Sequence, residues 1–114
     1  MQNISDVVEV FVEASIRYGL AQEEGNSNMM NKQSRIIIRL RKELKKNSES
    51  GLKQLKPLLA HENDYVKLTV ASSLIPLIPK EAENTLKELA MKSGLLGFEA
   101  QMTLQEWKKG NLKF

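Results

Sequence analysis

The chain has 114 residues, of which 41% are apolar and 27% charged, as is typical of one soluble globular domain. It contains no cysteine, which excludes disulfides, thiolate metal sites and cysteine nucleophiles, and its net charge of +3 is too small to argue alone for a polyanion partner. No apolar run approaches the roughly 18 residues of a membrane span and the first residues do not resemble a signal peptide, so we expect a cytoplasmic protein that does not contact a membrane.

Two helices are predicted first in chain order, from Ser5 to about Gln22 and from about Asn28 to Lys46, because apolar residues recur there at helical spacing. The segment between them is typical of a loop, in which Asn26 or Ser27 caps the second helix. The spacing also predicts the buried face of the second helix: Met29, Gln33, Ile36, Ile37, Leu40 and Leu44. The two helices should form an antiparallel pair over about residues 4–46.

The opposite face of the second helix is strongly basic. Five cations follow one another at spacings of three and four residues: Lys32, Arg35, Arg39, Lys42 and Lys46. With Arg41 and Lys45 they give residues 32–46 a net charge of +6, against −4 for residues 1–24. One interpretation is a solvated outer face, or two helices that attract each other. The other is a surface that binds anions, where arginine can donate two hydrogen bonds to one carboxylate or phosphate group.

The second half of the chain predicts four more helices. The third, over about Leu52–Ala60, should be short, bent or irregular because Pro57 lacks a backbone N–H. The fourth begins at about Tyr65, behind a cap at Asn63 or Asp64, and extends towards Pro79. The fifth and sixth are expected over about residues 80–92, with Pro79 in the first turn, and 98–109, with Gly110 ending the last helix.

The fourth helix should be the centre of the core, because it carries two adjoining apolar stripes. The first stripe is Val66, Val70, Leu74 and Leu77, and the second is Leu68, Ala71, Ile75 and Ile78. A surface helix needs an apolar face of only about 100°, so this helix must be buried on more than one side. Nowhere do apolar and polar residues alternate as in a strand, and the predicted fold class is all-α.

An internal repeat links the second half of the chain to itself. A shift of 31 residues aligns Leu55, Leu58 and Leu59 with Leu86, Leu89 and Ala90, and a shift of 33 aligns Val70, Ala71 and Leu74 with Thr103, Leu104 and Trp107. Trp107 is therefore expected in the core. A period near 32 with two helices per unit predicts a helical solenoid of three antiparallel pairs, at about 4–46, 51–78 and 80–109.

The segment LKPLLAHENDYVKLTVASSL resembles a HEAT-type repeat, with Lys67 at the position where that family usually has arginine. The longer stretch HENDYVKLTVASSLIPLIPKEAENTLKELA, followed by LLGFEAQMTLQEWKKG, resembles a bacterial HEAT-like family catalogued as a domain of unknown function. The resemblance implies a single domain over residues 1–114, folded as a short α–α superhelix of the HEAT or armadillo type with about six helices. Its motifs specify packing, and they carry no catalytic residues.

Three further features suggest chemistry, but structural roles explain them. His61 is the only histidine and is expected to serve the turn before the fourth helix. Lys67 should bridge to Glu62, Asp64 or a neighbouring repeat while its aliphatic stem is buried. Gly94-Leu95-Leu96-Gly97 has the spacing of a GxxG phosphate clamp, but its two leucines and its lack of basic flanks favour a loop between helices.

We therefore expect a small helical-repeat module that binds another protein and has no catalytic activity, cofactor or metal. The expected binding residues are Lys32, Arg35, Arg39, Arg41, Lys42 and Lys46, facing an acidic partner. One alternative is an immunity or antitoxin-like protein that neutralises a bacterial toxin. Another is a nucleic-acid-binding protein that uses the same residues, although the modest charge and the lack of interleaved aromatics disfavour it.

Overall fold

The computed structural model describes residues 4–46 and 49–112, which contain six α-helices, one 3-10 helix and no strand. The elements are α1 (Ile4–Glu24), α2 (Ser27–Lys46), α3 (Glu49–Lys53), the 3-10 helix (Lys56–Ala60), α4 (Asp64–Leu74), α5 (Pro79–Ala90) and α6 (Gly94–Lys108). The predicted all-α class is confirmed. The chain divides into two compact units, Met1–Leu55 and Lys56–Phe114. None of the described helices is both long and apolar enough to cross a membrane.

In the first unit, α1 and α2 pack together as a hairpin, and α2 also contacts α3. The turn depends on Gly25, whose φ of +72° lies in the left-handed region that favours glycine. The side chain of Asn26 then caps α2 by accepting a hydrogen bond from the backbone N–H of Met29 at 3.0 Å, as predicted. Buried apolar side chains line the hairpin: Val7, Phe11, Ala14 and Ala21 from α1, and Ile37, Leu40 and Leu44 from α2.

The predicted third helix is broken into two short pieces, α3 and the 3-10 helix, on either side of Gln54 and Leu55. Pro57 is the second residue of the 3-10 helix. Because proline has no N–H to donate and its ring crowds the preceding turn, a continuous α-helix through this position is disfavoured. The expectation of a short, irregular element is confirmed.

In the second unit, α4 packs against the 3-10 helix, α5 and α6. One connected core joins three helices through Leu68, Ala71, Ile75, Ala82, Leu86, Leu89, Leu96 and Ala100. Both predicted stripes are buried as far as Ile75, since Val66, Val70 and Leu74 are also fully inaccessible. The expectation that this helix is buried on more than one side is confirmed.

The end of α4 differs from the prediction, because the helix stops at Leu74 instead of continuing towards Pro79. Pro76 cannot donate the next helical hydrogen bond. The N–H groups of Leu77 and Ile78 both donate to the carbonyl of Leu74, at 2.9 Å each, which closes a turn. Leu77 and Ile78 therefore lie outside the helix and are only partly buried. Pro79 occupies the first turn of α5, as expected.

The start of α6 was also predicted wrongly. The segment 94–97, expected to be a loop, forms its first turn. Gly97 makes this turn possible, because a Cβ atom placed on it would lie 1.8 Å from the carbonyl oxygen of Lys92. Leu96 is buried in the core, whereas Leu95 is 49% exposed. The predicted end of α6 is confirmed. Gly110 has a φ of +79°, and its N–H donates a hydrogen bond to the carbonyl oxygen of Trp107 at 3.1 Å.

Candidate partner-binding surface

Five cations form one exposed surface on α2, which we call the basic face: Lys32, Arg35, Arg39, Lys42 and Lys46. At about 100° of rotation per residue, they lie within an arc of about 80°. This arc is opposite the buried residues Gln33, Ile37, Leu40 and Leu44. No ion pair or side-chain hydrogen bond is assigned to any of the five within the described residues. None of the five is therefore held in a direct ion pair by that part of the chain.

Arg41, the sixth predicted binding residue, does not belong to the basic face. It lies one turn from the buried residues Ile37 and Leu44 and is itself only partly accessible. Burial disfavours the charged guanidinium and lowers the pKa of Arg41 to about 10. The structure thus separates Arg41 from the other five predicted residues, and its side chain belongs to the packing of the first unit.

Ile38 lies at the edge of the basic face and is 44% exposed. It is one helical turn from both Arg35 and Lys42, so an apolar group stands directly beside two cations. The spacing of the cations does not select Ile38. The run of isoleucines at 36–38 does indicate an exposed apolar residue, because three consecutive residues cannot all face the core side of one amphipathic helix.

A groove opens between the two helices of the first unit, with a volume of about 330 Å³. Its lining includes Arg17, Leu20 and Glu24 from α1, and Met29, Lys32 and Gln33 from α2. Leu20 and Met29 are 58% and 36% exposed, although Met29 was predicted to be buried. Met29 lies in the first turn of α2, beside the loop, and its side chain borders the groove.

Gln33 closes the floor of this groove and is 97% buried, as predicted. Its Nε2 donates to the sulfur of Met29 at 3.3 Å, a weak acceptor. Its Oε1 has no hydrogen-bond partner among the described residues. Most buried polar atoms in proteins have a hydrogen-bond partner, so this oxygen in the lining of the groove lacks the hydrogen-bond donor expected for it.

The remaining features that the sequence singled out have structural roles. The Nδ1 atom of His61 accepts a hydrogen bond from the N–H of Asn63 at 2.9 Å, within the turn before α4. Lys67 forms no ion pair with the turn acids among the described residues; Asp64 instead contacts Lys92, with 2.6 Å between Nζ and Oδ2. Lys92 lies on the turn after α5, which brings it beside the start of α4.

Trp107 is partly buried against the core of the second unit, as expected for its repeat position. Its indole nitrogen donates to a carboxylate oxygen of Glu83 at 3.1 Å, which ties α6 to α5. A tryptophan N–H that is removed from water needs such a partner. Among the described residues, no three histidine, cysteine or acidic side chains come together in a way that could hold a metal ion.

Comparison with known proteins places these features in a family and a fold. The profile of the family described as Domain of unknown function (DUF2019) matches residues 5–107. The crystal structure of the protein RPA1889 from Rhodopseudomonas palustris CGA009 superposes with a TM-score of 0.90 and 20% sequence identity, covering 100% of this chain and 95% of that one. At this identity the likeness concerns the fold alone. A search of curated proteins finds no match.

Proposed function

The chain belongs to the DUF2019 family, a domain family of unknown function, and from that premise we propose that it is a binding module without catalytic activity whose basic face contacts an acidic partner protein. The observation that carries this proposal is the set of five exposed cations on α2 with no ion pair in the described part of the chain. Carboxylates on a partner would neutralise them, and complementary charges of this kind accelerate and orient association.

The exposed Ile38 supports a protein partner over a purely electrostatic one. Protein interfaces combine apolar contacts with polar ones, and arginine is enriched in them. Two of the five basic-face residues are arginines, and Ile38 lies next to Arg35. A toxin neutralised by an immunity-like protein is one specific form that such a partner could take, by analogy with other small helical proteins.

The same proposal includes a HEAT-like superhelix as the arrangement of the helix pairs. The internal repeat between residues 55–74 and 86–107 supports it. Stacked repeats of this kind present extended surfaces for recognition, and α2 would contribute the second helix of the first pair.

The test is capture of a partner by immobilised protein, compared between two variants of equal charge. The first variant carries Arg35→Glu, Arg39→Glu and Lys42→Glu on the basic face. The matched control carries Lys80→Glu, Lys87→Glu and Lys108→Glu, which are exposed lysines of α5 and α6. Both change the net charge from +3 to −3, so any difference reports position and not overall charge.

We expect an acidic protein that binds the wild type and the control variant but not the basic-face variant. A partner that all three proteins retain equally would show that the basic face is only solvated. Retention that disappears after nuclease treatment, with a steep linear fall of log affinity against log salt concentration, would instead identify nucleic acid as the partner. Circular dichroism of both variants should remain that of the wild type, since every altered side chain is exposed.

A further inference from the structure

The groove of the α1–α2 hairpin is polar at its ends and apolar in its middle. Arg17, Leu20 and Glu24 lie on one side of α1 at helical spacing. Because α2 returns antiparallel after a short turn, Glu24 lies at the turn and Arg17 lies opposite the part of α2 that carries Lys32 and Gln33. Two cations therefore occupy the end far from the turn, and Leu20 and Met29 lie between them and the acidic end.

The buried amide of Gln33 suggests that the groove is completed by a ligand. Among the described residues, its Oε1 has no donor, and its Nε2 has only a methionine sulfur as acceptor. Both deficits would be met by a peptide bond, which offers one N–H and one carbonyl oxygen. Met29 covers the amide with a flexible side chain that is 36% exposed, so a small rotation would open Gln33 to the groove.

We propose that this groove binds a short segment of the acidic partner in which an apolar side chain adjoins carboxylates, and this inference rests on the function proposed above. The apolar side chain contacts Leu20 and Met29, a carboxylate pairs with Arg17 and Lys32, and the peptide backbone hydrogen-bonds to Gln33. Lys32 belongs to both the groove and the basic face, so further acidic residues of the segment continue along α2.

The size of the groove defines the length of the segment. From residue 17 to residue 24 a helix rises about 10 Å, at about 1.5 Å per residue. An extended peptide advances about 3.3 Å per residue, so about three residues fill this length. One of them is apolar, its neighbour towards Arg17 is acidic, and its neighbour towards the turn presents a donor to Glu24. The volume of about 330 Å³ is at the lower end of known ligand pockets, as a single anchoring side chain requires.

The experiment uses fluorescently labelled peptides of four glutamates followed by one leucine and one lysine, with serine in place of leucine as the matched control. Each peptide is made in both chain directions, and binding to the full chain is followed by fluorescence anisotropy at low salt. In one direction, the leucine peptide should bind the wild type about tenfold more tightly than the serine peptide, as expected for a largely buried leucine.

Two groove variants and one control then locate the effect. Leu20→Ser should reduce the ratio of the two affinities to nearly one and leave the affinity for the serine peptide unchanged. Leu95→Ser, which alters a comparably exposed leucine on α6, should keep the tenfold ratio. Gln33→Met removes a hydrogen-bonding group that faces the peptide backbone, which both peptides share, so it should weaken both peptides. The variant should melt no lower than the wild type, since it removes an unpartnered buried amide. A purely structural role of Gln33 would leave the affinities for both peptides unchanged.

The outcomes separate this inference from the proposed function. A ratio near one for the wild type in both directions, or no binding of any peptide, overturns the groove as an anchor site. The proposed function is tested independently by the basic-face variant with Arg35→Glu, Arg39→Glu and Lys42→Glu, which should weaken the leucine and serine peptides alike. A Leu20→Ser variant that changes the affinity for both peptides equally would also contradict the inference.

Discussion

Asn63 and Ser93 both precede a helix, but they contribute to it differently. The Oδ1 atom of Asn63 accepts hydrogen bonds from the N–H groups of Tyr65 and Val66, at 2.9 and 3.2 Å. The hydroxyl of Ser93, at the start of α6, makes no such bond. Unpaired N–H groups at the start of a helix lower its stability. An N-cap residue therefore stabilises its helix only when its side chain accepts hydrogen bonds from these groups.

We therefore predict that Asn63→Ala lowers the free energy of unfolding by about 1 kcal/mol, because two N–H groups lose their acceptor. Ser93→Ala is the matched control and should change it by less than about 0.5 kcal/mol. Urea denaturation followed by circular dichroism measures both. Equal losses in the two variants would show that capping is not the source of the difference.

The first turn of α6 is the element in which adjacent residues have opposite environments. Leu96 packs with Leu68, Ala71 and Leu89 in the core and is 8% exposed. Its neighbour Leu95 points to solvent, as expected for consecutive residues on one helix. The helical first turn of α6 thus directs Leu96 into the core and leaves Leu95 outside it.

This environment predicts different effects of the same substitution. Leu96→Ala should lower the free energy of unfolding by about 2–3 kcal/mol, through lost burial and a residual cavity. Leu95→Ala, at the neighbouring exposed position, should cost less than about 0.5 kcal/mol. Chemical denaturation measures the free energy of unfolding of both variants. Similar losses in the two variants would favour the loop that the sequence predicted.

At the scale of the whole molecule, stability requires that the apolar core of each unit contains no unpaired charge. In the second unit that core is centred on Ala71, which is fully buried between Leu68 and Ile75 on α4 and the facing residues of α5 and α6. Trp107, the only tryptophan, packs against this core and can report its state through fluorescence.

Ala71→Glu is predicted to unfold the second unit at room temperature. The core offers no partner for the carboxylate, and an unpaired buried charge costs an amount comparable to the whole stability of a small domain, about 5–15 kcal/mol. Asn84→Glu places the same charge at an exposed position of α5 and should leave the tryptophan emission unchanged. Cooperative melting of Ala71→Glu at the wild-type temperature would contradict this account.

Of the candidate site, the sequence predicted the basic face but not the groove. Spacings of three and four residues are sufficient to place Lys32, Arg35 and Arg39 along one side of a helix. The groove combines residues of two helices, and the spacing of residues within one helix does not describe how two helices pair. Arg41 lies outside the basic face for a related reason, since its partial burial depends on neighbours that the spacing does not reveal.

The sequence by itself determined the helical class, the interruption at Pro57 and the end at Gly110. It also narrowed two caps to adjacent pairs of residues, Asn26 or Ser27 and Asn63 or Asp64. Each of these depends on interactions within about four residues, which local propensity describes. Only the tertiary structure decided that α6 begins at Gly94, because this turn is stabilised by burying Leu96 in a core formed with α4 and α5. It likewise paired Asp64 with Lys92, 28 residues away, and left Gln33 without a donor in the groove.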